Sequence, residues 1–321
     1  MKRMLFITAT RIGDAVLSTG LLNHLIEKHQ DLQITVACGP AAASLFEAVP
    51  GLEQLIVLNK KPFSMHWPQL WQTCVGHIWD VLVDLRSSPM PFFLLARNRF
   101  YRGESRSLEH RVRQLGAIVG HETDPPAPRL WIDDEHAQTA ARLIPDGGPV
   151  LALGPTANWA AKVWRADNFS ELVRRLTGPD GLFPGARIAV FGAEGERAIA
   201  QDVIESIPEE RRLDLLGKID LLTVFACLKR CAFYVGNDSG LMHIAAASGT
   251  PTLGLFGPSQ DVYYAPWGGH CDVVRTSTPY LDLFSPEFDH TTSGTLMDSL
   301  SVDAAEEAAR ILWQRTAKRT T

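Results

Sequence analysis

Short apolar runs alternate along the chain with amphipathic stretches whose apolar positions recur every three to four residues. In the first half, the apolar runs predict strands at residues 4–9, 33–38, 54–58 and 81–84. The amphipathic stretches predict helices at residues 14–28, 41–48 and 67–76. This alternation indicates a parallel sheet that is covered by helices on both faces.

The alternation restarts after a break rich in proline and glycine at residues 145–149, which follows a predicted helix at 134–144. Strands are predicted beyond it at residues 150–154, 187–191, 232–235 and 252–256. Helices are predicted at residues 167–176, 194–207, 221–229, 241–248 and 302–318. We therefore predict two α/β domains of doubly wound type, with the boundary between residues 148 and 149.

Composition narrows the class of protein. The 321 residues are 45% hydrophobic and 21% charged, which is typical of a globular chain. A formal net charge of -5 argues against a globally basic nucleic-acid binder. The five cysteines lack the spacing of a disulfide framework or a zinc site, which favours a reducing cytoplasmic location. No signal peptide and no membrane-spanning run is predicted.

Ligands of open parallel sheets bind beyond the carboxyl ends of the strands, so functional residues are expected in the loops there. The first such loop, residues 8–20, contains Gly13, which suits a tight turn, and Asp14 at the predicted helix start. Asp14 has two interpretations. It caps the helix, or it is a general base at the mouth of a cleft.

The second loop, residues 153–165, carries Thr156 and Lys162. It lacks the GxxxxGK[ST] phosphate loop, which disfavours an ATPase of that type. Lys162 is either a solvated lysine or a positive charge that holds a phosphate.

The third loop, residues 235–257, leads into a helix of small residues. Free backbone N–H groups at residues 239–242 and the helix dipole predict an anion site. Asp238 and His243 lie near it, and each has a structural alternative, as a helix cap and as a satisfied interior histidine respectively. The order Gly-Asn-Asp-Ser-Gly is one residue out of register with the Gly-x-Ser-x-Gly elbow, which argues against a hydrolase.

Arginines concentrate between residues 97 and 113, at positions 97, 99, 102, 106, 111 and 113. They indicate either a positive surface for an anionic lipid or a membrane, or an ordinary solvated face. The neighbouring aromatic residues are expected to pack in the core rather than to contact a membrane. These are Phe92, Phe93, Phe100 and Tyr101.

Taken together, the loops resemble glycosyltransferase family 9, the ADP-heptose:lipopolysaccharide heptosyltransferases. The resemblance rests on RIGDAV at 11–16, KVWR at 162–165, GNDSGLMHIAAA at 236–247, LFGPS at 255–259 and SVD at 301–303. It implies a GT-B fold, in which two Rossmann-like domains face a cleft. Residues 1–148 would bind the acceptor and residues 149–301 the nucleotide-sugar, while the helix at 302–318 would pack back on the first domain.

The resemblance also implies roles for single residues. Asp14 would be the base that deprotonates the acceptor hydroxyl, and Lys162 would contact donor phosphate. Further donor contacts are expected at Thr156, Glu196, Asp238, Ser239, Gly240, Leu241, Met242 and His243. Glu196, in preference to Glu194, would hold the ribose. Acceptor contacts are expected at Gly13, Arg97, Arg99 and Arg102.

The implied activity is inverting transfer of heptose from ADP-heptose to the lipopolysaccharide inner core. The donor-side loops contain no Asp-x-Asp motif, so transfer without a metal or other cofactor is expected. The acceptor would be an anionic glycolipid, reached by peripheral contact with the cytoplasmic face of the inner membrane, and no nucleic acid is expected as a partner.

One segment departs from the family, because residues 277–299 lack the cysteines that many relatives carry there. A different nucleotide-sugar therefore stays open as the donor. A non-catalytic nucleotide-sugar-binding protein and a sugar-nucleotide epimerase of similar fold are the alternatives from other classes.

Overall fold

The structure is a computed structural model that describes residues 2–29, 31–101, 108–285, 288–289 and 292–317. The chain divides into two compact units, residues 1–133 and 134–321. Each unit is built on one sheet, and every described strand pairing is parallel. The prediction of two parallel-sheet α/β domains is confirmed.

The first unit has a five-stranded sheet of order β3-β2-β1-β4-β5. Its strands are β1 (Lys2–Ile7), β2 (Leu32–Cys38), β3 (Leu52–Val57), β4 (Ile78–Asp84) and β5 (Leu95–Tyr101). Its helices are α1 (Ile12–Lys28), α2 (His66–Cys74), α3 (Met90–Phe93) and α4 (Arg111–Ala117), with 3-10 turns at Pro40–Phe46 and Pro62–Ser64. The central strand β1 is buried on both faces from Met4 onward, which explains its unbroken apolar run.

The second unit has a six-stranded sheet of order β11-β10-β9-β6-β7-β8. Its strands are β6 (Val150–Gly154), β7 (Arg187–Val190), β8 (Arg212–Asp214), β9 (Phe233–Asn237), β10 (Thr252–Phe256) and β11 (Cys271–Arg275). Strands β6 and β9 are neighbours although about eighty residues separate them in sequence, and Gly154 pairs with Gly236 at their carboxyl ends. The order therefore brings the second and third predicted loops together.

Helices cover both faces of this second sheet. They are α5 (Asp134–Leu143), α6 (Ala166–Thr177), α7 (Arg197–Ser206), α8 (Leu221–Leu228), α9 (Gly240–Ala247), α10 (Asp261–Tyr264) and α11 (Val302–Ala317). Short 3-10 turns lie at Ala160–Lys162, Glu194–Glu196, Glu209–Arg211 and Tyr280–Leu283. Helix α8 begins where Asp220 accepts hydrogen bonds from the backbone N–H groups of Leu222 and Thr223, the typical geometry of an N-cap.

The boundary between the units lies fifteen residues before the predicted one. Helix α5 was assigned to the first domain, but it packs on α8 of the second unit. The Arg230 side chain also donates to the carbonyl of Ile144, directly after that helix. The units therefore divide before α5, and the proline- and glycine-rich stretch at 145–149 is a loop within the second unit.

The expectation for the last helix is wrong. Helix α11 is part of the second unit, where it packs on α6, β10 and β11. Its buried Ala305, Ala309 and Leu312 belong to that unit's hydrophobic core. Arg175 of α6 reinforces the contact through an ion pair with Asp303, 2.5 Å between nitrogen and oxygen.

Candidate functional site

The carboxyl ends of β6, β7 and β9 gather most of the polar side chains predicted to bind the donor. This is the edge at which parallel sheets bind ligands. The Asn237 side chain joins two of the loops there, because its amide nitrogen donates to the carbonyl of Pro155 and its oxygen accepts from the backbone N–H of Trp164. Asn237 is fully buried and was not among the predicted site residues, although it stands inside the GNDSG block.

Thr156 and Glu196 form the first polar pair of this edge. The Thr156 hydroxyl, which is buried, donates to Oε2 of Glu196 at 2.7 Å. The backbone N–H of Ala193 donates to the same oxygen at 3.0 Å. These bonds fix the Glu196 carboxylate over the loop after β7, beside the loop after β6.

Lys162 and Asp238 form the second pair, which is largely removed from water. Nζ of Lys162 donates to Oδ2 of Asp238 at 2.5 Å, and the two side chains are 22% and 8% exposed. The lysine ends a short 3-10 turn that is held by a hydrogen bond from the Leu296 N–H to the carbonyl of Ala161. In a site with little water, this ion pair is a strong and directional contact.

Helix α9 begins at Gly240, two residues after Asp238. Ser239 is the N-cap residue, but its side chain accepts no capping hydrogen bond, and its hydroxyl oxygen is buried without a partner in the described part of the chain. The first N–H groups of the helix therefore keep their capacity for an anion. Together with the Lys162–Asp238 pair, they form a polar corner at the end of β9.

The remaining residues of this block have different surroundings. Gly240 and Leu241 are half-buried in the first turn of α9. The Met242 side chain is fully buried, and a methyl group placed at Gly254 would lie 2.6 Å from its sulfur, so Met242 offers its backbone rather than its side chain. His243 is buried on the inner face of the helix.

Asp14 lies in the first unit, in the first turn of α1. The helix begins at Ile12 with Arg11 as the N-cap residue, and no side chain caps it. Asp14 is its third residue, is half-buried, and makes no hydrogen bond or ion pair with the residues that the structure describes. The capping interpretation is therefore wrong, and the carboxylate is available for chemistry. Gly13 precedes it, also half-buried.

The predicted arginine surface is only partly available. Arg97 is exposed and forms an ion pair with Asp80, 3.4 Å apart. The Arg99 guanidinium donates to the backbone carbonyls of Pro91, Leu94 and Ala96, so it holds α3 against the edge strand β5. Arg102 lies outside the described residues. The structure thus gives Arg99 a structural contact that the arginine pattern did not predict.

The aromatic residues beside this surface correct another expectation. Phe92 and Phe93 in α3 are 79% and 66% exposed rather than packed in the core, and Tyr101 is also exposed. The Phe92 and Tyr101 rings contact each other, with centroids 6.4 Å apart, and the Trp71 indole donates to the carbonyl of Phe93. Of the four aromatic residues, Phe100 alone is half-buried.

The cysteines carry no reactive feature. All five are free and buried, and burial raises the pKa of the Cys38 and Cys74 thiols to about 12. Among the described residues, no group of three or more histidine, cysteine or acidic side chains is arranged to hold a metal. The described helices include none that is long and apolar enough to cross a bilayer.

Comparison with known proteins identifies the class. The model of glycosyltransferase family 9 (heptosyltransferase) matches residues 82–287, well over half of the chain. The chain belongs to this family, and it is a glycosyltransferase.

Curated relatives and solved structures agree with this family over nearly the whole length. Lipopolysaccharide heptosyltransferase 2 of Escherichia coli is 26% identical, with 98% of this chain and 100% of the relative covered. Lipooligosaccharide heptosyltransferase 2 of Haemophilus influenzae is 24% identical, with coverage of 85% and 88%. The structure of E. coli ADP-heptose lipopolysaccharide heptosyltransferase II has a TM-score of 0.74 at 20% identity, covering 99% of this chain and 100% of that chain. A family 9 glycosyltransferase from Veillonella parvula has a TM-score of 0.77 at 18% identity, covering 98% and 97%. The predicted GT-B fold class and family are confirmed.

Proposed function

We propose that this enzyme transfers heptose from ADP-heptose to the lipopolysaccharide inner core, with inversion at the anomeric carbon. The relatives of the same length carry heptosyltransferase names, which supports the donor and the acceptor class. The observation that carries the proposal is the Lys162–Asp238 pair at the N-terminus of α9. A nucleoside diphosphate is the ligand that such a corner suits best.

In the proposed donor site, the diphosphate lies against the N–H groups of residues 239–242. Lys162 and the positive end of the helix dipole stabilise the negative charge that grows on the leaving diphosphate. The Thr156–Glu196 pair offers a fixed carboxylate for the ribose hydroxyls. Gly240, Leu241, Met242 and His243 complete the wall of this site. Lys162 and the N-terminus of α9 supply the positive charge that a metal would otherwise supply, so we propose transfer without a metal or cofactor.

In the proposed reaction, Asp14 accepts the proton of the acceptor hydroxyl. The freed oxygen forms a bond to the anomeric carbon from the face opposite the diphosphate. The bond between that carbon and the diphosphate oxygen breaks, and its electron pair leaves with the diphosphate. The proposed acceptor contacts are Gly13, Arg97, Arg99 and Arg102, the last of which lies outside the described residues.

We also propose that the enzyme contacts the cytoplasmic face of the inner membrane through the first unit. The exposed aromatic rings of Phe92, Phe93 and Tyr101 lie beside Arg97 and Arg99 at the outer edge of the sheet. Aromatic rings next to arginines suit the headgroup region of an anionic membrane, where ring and charge are both accommodated. A lipid-linked acceptor would be presented at such a surface.

Replacing both α3 rings tests this contact. We expect Phe92→Ser/Phe93→Ser to lower the partition coefficient onto phosphatidylglycerol-containing vesicles by about tenfold. The reason is that two aromatic rings that would insert into the membrane interface are removed. Co-sedimentation with the vesicles measures the partition coefficient, and phosphatidylcholine vesicles serve as the comparison without net charge. Leu281→Ser, which removes an equally exposed apolar side chain from the second unit, is the matched control. Equal losses in both variants would contradict the proposed surface.

The function itself is tested by incubating the enzyme with a panel of nucleotide-sugars and truncated lipid A-core acceptors. We expect heptose transfer from ADP-heptose with inversion, measured by mass spectrometry and NMR, and undiminished activity in EDTA. Activity that EDTA abolishes and magnesium restores would refute transfer without a metal. Nucleotide-sugar binding without transfer would indicate the non-catalytic alternative, and a sugar-nucleotide product formed without acceptor would indicate an epimerase.

A further inference from the structure

A tyrosine hydroxyl is buried close to the N-terminus of α9 without a hydrogen-bond partner. Tyr234 lies on β9, its side chain is fully buried, and its hydroxyl oxygen has no partner among the residues that the structure describes. Buried tyrosine hydroxyls normally find one. A phenylalanine would fill the same space without an unpaired polar group, so the hydroxyl itself calls for an explanation.

Two glycines allow this hydroxyl to reach the carboxyl edge of the sheet. The phenol ring runs along β9 over Gly236 and over Gly154 on the neighbouring strand, which pair with each other. A Cβ at Gly236 would lie 2.5 Å from the Tyr234 oxygen, and one at Gly154 would lie 2.9 Å from Cζ of the ring. Glycine within a strand weakens the sheet, so two of them at this point indicate a space kept for the phenol.

The neighbour of the hydroxyl is Ser239, the N-cap residue of α9. The Ser239 hydroxyl oxygen is also buried and unpartnered within the described residues. The Ser239 hydroxyl lies near enough to the phenol oxygen for hydrogen bonding to oppose the rise in the pKa of Tyr234. Even so, neither oxygen has a hydrogen-bond partner within the described residues. Two unpaired hydroxyls therefore lie side by side next to the proposed diphosphate site.

The phenol of Tyr234 is protonated at neutral pH, as an ordinary tyrosine is, and its surroundings favour that state further. Burial raises the pKa of the Tyr234 hydroxyl well above its ordinary value, and the nearby carboxylates of Glu196 and Asp238 raise it further. At neutral pH the group is therefore a hydrogen-bond donor.

We propose that Tyr234 is a positioning residue for the diphosphate of the donor, and that it acts through Ser239. With the diphosphate bound, the Tyr234 O–H donates to Oγ of Ser239, and the Ser239 hydroxyl donates outward to a diphosphate oxygen. A serine hydroxyl has a single proton, so accepting from the tyrosine leaves that proton for the ligand. Because Ser239 accepts no capping bond from the helix, the helix N–H groups stay available to the same anion. This inference rests on the proposed function, since it needs a nucleoside diphosphate at α9.

The hydroxyl deletion Tyr234→Phe tests the inference with ADP as the probe. We expect the Kd for ADP, measured by isothermal titration calorimetry, to rise about five- to tenfold because a hydrogen bond to an anion is weakened. The Tm of the unliganded protein should stay the same or rise, because removing an unpaired buried hydroxyl does not destabilise the fold. In the Ser239→Ala background, Tyr234→Phe should have no further effect on the Kd.

Thr250→Val is the matched control, since it also deletes one buried hydroxyl. The Thr250 hydroxyl is satisfied by the carbonyl of Leu228 and lies before the amino end of β10. We expect this control to lower the Tm by about 2 °C and to leave the Kd for ADP unchanged.

Three results would overturn the inference while leaving the proposed function intact. They are an unchanged Kd in Tyr234→Phe, independent and additive effects of the tyrosine and serine deletions, and a fall in the Tm of the unliganded Tyr234→Phe protein. Failure of the wild-type enzyme to bind ADP would be a different outcome. It would refute the proposed function, and this inference with it.

Discussion

Replacing Asp14 by asparagine is expected to lower kcat by about 10²- to 10⁴-fold, because the acceptor hydroxyl loses the group that takes its proton. The carboxylate stands in the first turn of α1 and makes no hydrogen bond with the described residues, so its contribution to the fold is limited to the helix dipole. Asparagine keeps the size and the polarity of the side chain. The Tm should therefore change little, and a transfer assay with saturating donor measures the loss.

The proposed donor site belongs to the second unit, so the Kd for the nucleotide-sugar should be the same in Asp14→Asn and in the wild type. Asp167→Asn is the matched control, because Asp167 is also an aspartate in the first turn of a helix and is exposed. Both changes remove the same favourable interaction with a helix dipole. A variant Asp14→Asn that retains more than a tenth of the wild-type kcat would rule out the proposed base.

The interior strands of each sheet could be predicted from the sequence, whereas three of the four edge strands could not. Strands β6 and β10 have the predicted bounds, because both are buried on both faces and are therefore apolar throughout. The missed strands β5, β8 and β11 all lie at or next to an edge. Strand β5 carries two arginines and an asparagine, and β8 has three residues, so neither shows an apolar run. The same polar residues protect an edge from pairing with another chain.

The sequence predicts the residues of the proposed donor site, but not the contacts that they make with one another. Lys162, Asp238, Thr156 and Glu196 were each predicted to bind the donor. That they form two pairs follows from the order of strands β7, β6 and β9, which hydrophobic periodicity does not encode. Tyr234 was overlooked for a related reason. A tyrosine within an apolar strand is ordinary in sequence, and its unpaired hydroxyl is visible only in three dimensions.

Removing the charge of Lys162 is expected to weaken donor binding and the fold together. In Lys162→Met, the diphosphate loses a charge-assisted hydrogen bond, so the Kd for ADP-heptose should rise about 30- to 100-fold. The buried Asp238 carboxylate also loses its partner. Because the lysine is partly exposed, we expect the free energy of unfolding to fall by about 2–3 kcal/mol, less than for a fully buried pair. Calorimetry and urea denaturation measure the two effects.

The double variant Lys162→Met/Asp238→Asn separates the two effects. It removes the unpaired carboxylate charge, so most of the stability should return, whereas the donor affinity should return only in part, because the repulsion by Asp238 is gone but the positive charge is still missing. Lys218→Met is the matched control, since Lys218 also pairs with an aspartate, Asp214, but is more exposed, and Arg197 continues to bind that carboxylate. We expect it to change the unfolding free energy by less than about 1 kcal/mol and the Kd not at all. If the double variant instead regained the full donor affinity along with stability, Lys162 would serve only to neutralise Asp238, and the diphosphate would depend on the N-terminus of α9 alone.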